Sequence, residues 1–217
     1  MASFSRGTFI SGRGKKSLPG HDLRSVIASK KAASLRCEYI GVIGAEMTGR
    51  NTLVRRFLHM SEGPFDAPED RKYSRRSVLV ELSQRPYIHE VDVVKLNVHI
   101  LNARSRSYED FYQIIPTLQS IVMIFDVRSE RTLNIAKSCL NRIRQQLQNV
   151  TPPRFILVGN KIDLPVTDTV LNNIREEANN CGAENYYECS ALMNINMDPV
   201  LDAILILTFY PNRPLPP

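Results

Sequence analysis

The sequence lacks an apolar run of the length needed to cross a bilayer. The longest runs, such as residues 203–207, fall far short of the roughly 18 residues of a membrane-spanning helix. We interpret residues 203–207 as part of a buried helix. The first 20 residues contain no apolar segment of the secretory type. With 43% hydrophobic and 23% charged residues in 217, the composition is that of a soluble globular protein with one domain and a tail.

Cysteine is also scarce. The four cysteines show no paired spacing, so no disulfide framework or zinc site is indicated: Cys37, Cys139, Cys181 and Cys189. Scattered thiols fit a reducing compartment, and we expect a cytoplasmic protein. Cys189 lies 28 residues before the last residue, so we expect no C-terminal prenyl anchor.

Acidic residues are nearly absent from residues 1–36, which hold eight Lys or Arg and one acid, Asp22. This segment has a net charge of +7. Because the whole chain has a net charge of +6, residues 37–217 have a net charge of −1. The basic charge is therefore not a property of the domain, and we expect no nucleic-acid binding. We expect a mostly disordered extension. Three roles stay open for it: a plain solvated tail, electrostatic contact with an anionic membrane, and organellar targeting.

Between residues 37 and 210 apolar strand-like runs alternate with helical patterns, and the Pro-rich residues 211–217 are expected to form a loose tail. The predicted strands are residues 39–43, 77–82, 91–101, 120–125, 155–158 and 186–189. The predicted helices are residues 52–59, one between the third and fourth strands, one beginning after Ser129, and residues 168–179 and 199–209. The third has apolar positions at helical spacing: Leu133, Ala136, Leu140, Ile143 and Leu147.

This order predicts an α/β fold with a sheet of about six strands, mostly parallel, and helices on both faces. Two adjacent strands without a helix between them imply one antiparallel pair. Ligands of such sheets bind beyond the carboxyl ends of the strands.

Polar residues follow the fifth strand as Asn160-Lys161-Ile162-Asp163. The Asp163 carboxylate can accept two hydrogen bonds from a purine that carries a ring N–H and an exocyclic amine. Guanine has this pair and adenine does not, so the pattern predicts guanine selection. Asn160 can brace neighbouring loops and the stem of Lys161 can cover the base. A polar loop without function is the alternative.

The last strand is followed by Ser190-Ala191-Leu192. A backbone N–H near Ala191 could bind the guanine carbonyl. These three residues are uninformative alone, and their position 27 residues after Asp163 gives them weight.

A candidate phosphate loop follows the first strand. It contains both glycines of the pattern G-x-x-x-x-G-K-[ST], whose curled backbone points N–H groups at phosphates. The Lys position holds Arg50 and the Ser/Thr position holds Asn51. The loop and helix start are Gly44, Ala45, Glu46, Met47, Thr48, Gly49, Arg50, Asn51 and Thr52. An ordinary strand–turn–helix is the alternative.

With these motifs the chain resembles the Ras superfamily of small GTPases over about residues 37–210, most closely its Ras and Rab branches. FILVGNKIDL, ECSAL and VMIFDV carry the resemblance. It implies a P-loop NTPase-type small GTPase fold. It also implies GTP or GDP held by the guanine motifs, with the phosphates and Mg²⁺ held by the phosphate loop and two switch segments.

The departures concern the phosphate and metal end. The family's second switch opens with Asp-x-x-Gly-Gln, and here the Asp falls on Asn102, the Gly on Ser105 and the Gln on Arg106. Residues 61–76 contain no Thr for the first switch, which leaves Ser74 as the hydroxyl. Asn51 offers one neutral oxygen, whereas Mg²⁺ prefers anionic oxygen ligands. We therefore expect weakly held Mg²⁺ and no assigned catalytic residue, with Arg106 at the Gln position.

These observations predict a Ras-like switch or scaffold in signalling or trafficking, with slow or absent hydrolysis. Two alternatives stay open: a pseudoGTPase interaction module with weak or no nucleotide binding, and a working GTPase with catalytic groups from elsewhere. The missing prenyl anchor, the basic extension and the altered second switch resemble the non-prenylated Rad, Gem and Rem group. In each case we expect a protein effector or regulator as partner.

Overall fold

The computed structural model describes residues 35–67, 74–88, 90, 92–107, 113–148 and 151–217. The chain divides into two units, residues 1–35 and residues 36–217. The expected disorder of the basic extension falls outside the described residues, except at residues 35 and 36.

A six-stranded sheet forms the centre of the second unit, in the order β2-β3-β1-β4-β5-β6. β2 and β3 pair antiparallel and the other neighbours pair parallel. The strands are β1 Cys37–Gly44, β2 Arg75–Glu81, β3 Val93–Asn102, β4 Ser120–Asp126, β5 Arg154–Asn160 and β6 Tyr186–Cys189. The prediction of a six-stranded, mostly parallel sheet with one antiparallel pair is confirmed.

In the described part of the chain, four α-helices cover the two faces: α1 Arg50–Leu58, α2 Glu130–Gln146, α3 Asp168–Asn179 and α4 Met197–Phe209. Apolar residues of α1 and α4 pack in one core with one face of the sheet, and those of α2 and α3 in a second core with the other. All seven residues of β4 are buried because helices cover both sides of this strand. Among the described residues, no helix is long and apolar enough to cross a membrane.

The residue ranges predicted for the helices agree with those of α1, α2, α3 and α4 to within a few residues. The bounds of α3 are those predicted. The five apolar residues predicted at helical spacing are all buried, four of them on α2 and Leu147 at its C-cap. Ser129 stands at the N-cap of α2, although its side chain makes no capping hydrogen bond. The helix expected between β3 and β4 falls partly on residues 108–112, outside the described part. The described residues there include the 3₁₀ turn Ile115–Thr117.

The last residues pack on the domain instead of forming a loose tail. Pro216 is buried, and its carbonyl accepts a hydrogen bond from the Tyr187 hydroxyl at 2.8 Å. Leu215 packs against the α1–α4 core, and Arg213 donates to Ile88 O at 2.9 Å. Proline prevents a helix here, as predicted, but does not prevent an extended segment from packing.

Candidate nucleotide-binding site

The carboxyl ends of the parallel strands gather the predicted site residues at one edge of the sheet. Gly44 at the end of β1 pairs with Asn102 of β3 and with Ile124 near the end of β4. Asp126 at the end of β4 pairs with Asn160 at the end of β5. The strand order reverses at β1, which is the place where open α/β sheets bind ligands.

The phosphate loop turns tightly between β1 and α1. Gly49 has φ 92°, a conformation that favours glycine. A Cβ at Gly44 would lie 2.4 Å from Ile124 O, so the loop also needs glycine there for close approach. The Thr48 hydroxyl donates to Ala45 O at 2.9 Å and closes the turn from inside. Glu46 and Met47 are exposed at its tip.

Helix α1 begins at Arg50, directly after the loop. Burial lowers the pKa of Arg50, and the Glu46 carboxylate acts in the opposite direction. Asn51 is half-buried, and Thr52 is buried one residue further along the helix. The cation of the phosphate loop is thus the Arg50 guanidinium, which is partly removed from water and lies close to the Glu46 carboxylate.

The Asn160 side chain joins the phosphate loop to the last guanine loop. Its Nδ2 donates to Thr48 O at 2.9 Å, and its Oδ1 accepts the Ala191 N–H at 3.0 Å. Asn160 is 3% exposed, so both bonds are shielded from water. The bracing role expected for Asn160 follows from this geometry. The Ala191 N–H, expected to face a guanine carbonyl, is donated to Asn160 here.

Lys161 has φ 73° and extends back over the phosphate loop. Its ammonium donates to Met47 O and lies 2.9 Å from Asp126 Oδ2. Burial acts to raise the pKa of Asp126. Hydrogen bonds from Arg128 and the contact with Lys161 outweigh it, and the pKa lies below its ordinary value. Asp126 is therefore ionised and fixes the Lys161 stem beside the loop.

Asp163 carries a carboxylate oxygen in need of a donor. Its Oδ1 is buried and has no hydrogen-bond partner in the described part of the chain. Burial, with the charge of Asp163 as a second cause, raises the pKa of Cys189, so this carboxylate lies near the end of β6. A buried acceptor without a donor is costly, and a ligand with N–H groups would relieve that cost.

The loop after β6 is hydrogen-bonded to Arg56 of α1, which is fully buried. Its guanidinium donates to Ala191 O and Leu192 O, each at 2.9 Å, and to His59 O and Glu62 O. The ring of Phe65 lies 3.6 Å from the guanidinium carbon. The Ser190 hydroxyl accepts the Met193 N–H at 3.0 Å within the same loop. This loop is thus set by a side chain from the helix that follows the phosphate loop.

The second-switch residues form a turn closed by Asn102. Its Oδ1 accepts the Arg104 N–H at 3.0 Å, and its carbonyl accepts the Ser105 N–H at 2.8 Å. The amide oxygen that was expected to orient Mg²⁺ through a water molecule is therefore used in a local turn. Arg106 is exposed. Ser74 is exposed immediately before β2, and its carbonyl accepts the Ile100 N–H near the end of β3.

The donor set fits guanine better than Mg²⁺. Asp163 and the Asn160 brace suit a base with two N–H donors. The candidate metal donors Asn51, Ser74 and Asn102 are all neutral, and Mg²⁺ prefers anionic oxygen. Within the described residues, no group of three or more His, Cys, Asp or Glu side chains is placed to hold a metal ion.

Sequence reasoning missed Arg56 and Asp126 as parts of the site. Asp126 had a signal, because it directly follows the buried strand β4 at the edge where ligands bind. Arg56 had none, since an arginine in the middle of a helix next to Arg55 reads as a solvated residue.

The fold, the phosphate loop and the guanine loops define a nucleotide-binding protein of the P-loop class. The family model of the Ras family matches residues 40–208. The chain therefore belongs to the Ras family, as the sequence motifs indicated, and is a small GTP-binding switch protein. Members generally bind GTP or GDP with Mg²⁺. The comparison with curated proteins finds no match.

Proposed function

We propose that this protein is a guanine-nucleotide-dependent switch or scaffold in signalling or trafficking that hydrolyses GTP slowly or not at all. The observation that carries the proposal is the buried Asp163 Oδ1, which has no donor among the described residues. A carboxylate in this state gains most from a base with adjacent N–H groups. Guanine supplies them, and its ring would lie beside the Lys161 stem.

The phosphate end supports slow hydrolysis. Arg50 replaces the ammonium of the phosphate loop by a planar guanidinium, which binds with different geometry. The side-chain oxygen of Asn102 accepts a hydrogen bond from the Arg104 N–H. Arg106 supplies no group that positions water. GTP turnover depends on Mg²⁺ and a positioned water, since protein groups contribute little covalent chemistry to phosphoryl transfer.

A second candidate is a pseudoGTPase interaction module with weak or no nucleotide binding. The observation that favours it concerns the Ala191 N–H. This group donates its hydrogen bond to Asn160 Oδ1, whereas a nucleotide-binding site would direct it at the guanine carbonyl. The turn that Asn102 closes through its side-chain oxygen also favours the pseudoGTPase candidate. The site then acts as an internal brace, and the fold presents surfaces to a partner.

In both cases we propose a protein effector or regulator as partner and the cytoplasm as the place of action. The basic extension supports electrostatic contact with an anionic membrane, because it concentrates +7 of charge in residues 1–36.

The deciding experiment identifies the nucleotide that co-elutes with the full chain purified without added nucleotide. We expect GDP or GTP in the denatured extract, and calorimetric titration should show GDP and GTP binding more tightly than ATP. Equal affinity for ATP would show that the guanine assignment is wrong. An empty protein that binds none of the three would favour the pseudoGTPase candidate over the switch.

A further inference from the structure

A groove of about 430 Å³ lies along the outer edge of the sheet, beside β6. β6 is the last strand in the sheet order, and among the described strands it pairs with β5 alone. The groove is lined by the end of α3, by β6, by the start of α4 and by Pro217, all within a stretch that the structure describes without a gap. It shares no residue with the phosphate loop or the guanine motifs, so its role does not depend on the function proposed above.

The backbone groups of β6 alternate between β5 and the groove. In the parallel ladder Leu157 is level with Tyr186, and its N–H donates to Asn185 O at 3.0 Å. By the same ladder pattern the backbone groups of Tyr187 face β5. The N–H and C=O groups of Tyr186 and Glu188 therefore point outwards, to the open edge.

Side chains of the domain bind two of these four outward groups. Asn185 Oδ1 accepts the Tyr186 N–H at 2.9 Å, and Asn196 Nδ2 donates to Glu188 O at 3.0 Å. Tyr186 O and the Glu188 N–H have no partner among the described residues. The edge thus presents one open acceptor and, two residues further along, one open donor.

This open pair selects the direction of an added strand. In a parallel ladder a single residue donates to one C=O and accepts from the N–H two residues further along, as β5 does on the other edge of β6. In an antiparallel ladder a residue exchanges both bonds with one partner residue, and Tyr186 and Glu188 each have only one open group. A symmetric pair of copies joined through β6 is antiparallel and therefore fits poorly.

One face of the groove fits an apolar side chain. A residue that binds both open groups lies level with Tyr187, so its side chain points to the same side of the sheet as that of Tyr187. On that side Tyr187 lies in the α1–α4 core and its hydroxyl donates to Pro216 O. Pro199 and Pro217 line the groove there and offer apolar contacts.

The other face of the groove is polar and has no net charge. The Arg175 guanidinium binds the Glu188 carboxylate through two contacts of 2.7 Å, and the Tyr186 hydroxyl donates to the same carboxylate at 3.1 Å. Arg175 and Glu188 are the charged residues of the lining, and they neutralise each other. A charged side chain here would lack a counter-ion, so uncharged polar side chains complement this face.

We infer that the open edge of β6 binds an extended segment of a partner protein as an additional, parallel strand. One apolar residue of the segment donates its N–H to Tyr186 O and accepts the Glu188 N–H, and uncharged polar residues flank it. β6 has four residues and is about 13 Å long, so the contact is short. Main-chain hydrogen bonds bind extended peptides at open sheet edges in this way, and the side chains select the sequence.

The test is an NMR titration of the isotope-labelled full chain with the capped peptide Ser-Thr-Val-Thr-Ser. N-methylation of its valine removes the N–H that meets Tyr186 O. N-methylation of the following threonine is the matched control, because neighbouring N–H groups of an extended strand point to opposite sides. On the protein, Asn179→Trp fills the groove from α3. Asn173→Trp is its control, because Asn173 is exposed on the same helix and lies outside the groove.

We expect the unmodified peptide to shift the Glu188 amide resonance in a saturable way, since this N–H gains a hydrogen bond. N-methylation of the valine and Asn179→Trp should each weaken binding about tenfold, because a hydrogen bond or the space for the segment is lost. The two controls should change the affinity less than about twofold.

An unshifted Glu188 amide at saturating solubility of the peptide would overturn the inference. Equal binding of the two N-methylated peptides would do the same, since the valine N–H would then not be bound. A Glu188 shift that depends on protein concentration without peptide would show that a second copy occupies the edge instead. None of these measurements needs bound nucleotide, so their outcome is independent of the function proposed above.

Discussion

The side-chain amide of Asn160 lies directly against Gly49, so closely that a Cβ on Gly49 would stand 2.3 Å from Asn160 Nδ2. Gly49 closes the phosphate loop, and Asn160 ends β5 and starts the guanine motif. The contact lets Nδ2 reach Thr48 O. One glycine thus serves both the turn of the phosphate loop and its attachment to the base end.

Gly49→Ala should destabilise the fold. The new methyl group would displace the Asn160 amide, and alanine is strained at φ 92°. We expect the free energy of unfolding to fall by about 1–3 kcal/mol, measured by urea denaturation of the full chain. Gly63→Ala is the control, because nothing lies within 4 Å of a Cβ there. Equal effects of the two changes would contradict the contact.

Arg56→Met should be costly although methionine fills much of the same space. It removes the donors to Ala191 O and Leu192 O. We expect a loss of about 3 kcal/mol in the free energy of unfolding, since buried carbonyls are left without donors. Weaker nucleotide binding should follow because the loop after β6 loses its support.

The neighbouring Arg55→Met is the matched control for Arg56→Met. Arg55 is less buried, donates to Ala67 O at 3.0 Å and lies 3.9 Å from the centre of the Phe65 ring. Its loss should cost less than about 1 kcal/mol. If both variants unfold at the same urea concentration, Arg56 does not support the loop in the way described.

Asp163→Asn should change the base preference. The amide presents an N–H where the carboxylate accepted one, which disfavours guanine and suits xanthine, whose ring carries an oxygen in place of the amine. GDP affinity should fall by about 2 kcal/mol, roughly thirtyfold, and xanthosine diphosphate should bind better than it does to the wild type. Calorimetry measures both, and Asp168→Asn controls for the charge change. An unchanged preference would remove Asp163 from the base site.

Nucleotide affinity should depend only weakly on Mg²⁺. The candidate donors Asn51, Ser74 and Asn102 are neutral, and the Asn102 oxygen is engaged by Arg104. Titrations of GDP in EDTA and in excess Mg²⁺ should therefore agree closely. A loss of about 2 kcal/mol or more in EDTA, roughly thirtyfold, would show that other groups rebuild a metal site.

Single-turnover hydrolysis of bound GTP should be at or below about 10⁻⁴ s⁻¹, the order of slow intrinsic turnover. Arg106 stands in place of the glutamine that orients the attacking water in the family, and Ser105 replaces the glycine of the second switch. The measurement is made on the wild type and on Arg106→Gln combined with Ser105→Gly. Fast wild-type turnover that the double change slows would make Arg106 catalytic. An inert wild type whose double variant gains little would locate the block at Arg50, Asn51 and Asn102.

Much of the fold could be predicted because its signals are local. The fully apolar β4 and the spacing of Leu133, Ala136, Leu140 and Ile143 report which faces are buried, and α3 begins and ends where its pattern does. The position of the site followed as well, since parallel strands bring their carboxyl ends to one edge. The packing of residues 211–217 was missed because proline reports only that a helix ends.

The sequence by itself determined the fold class, the family, and the residue types available at each loop, because these depend on patterns between near neighbours in the chain. Only the tertiary structure decided which partner each polar group takes. Asn160 reaches Thr48 and Ala191 across 112 and 31 residues, and Arg56 reaches Ala191 across 135. Such hydrogen bonds require distant segments to be positioned to within a few tenths of an ångström of one another, which no local pattern encodes.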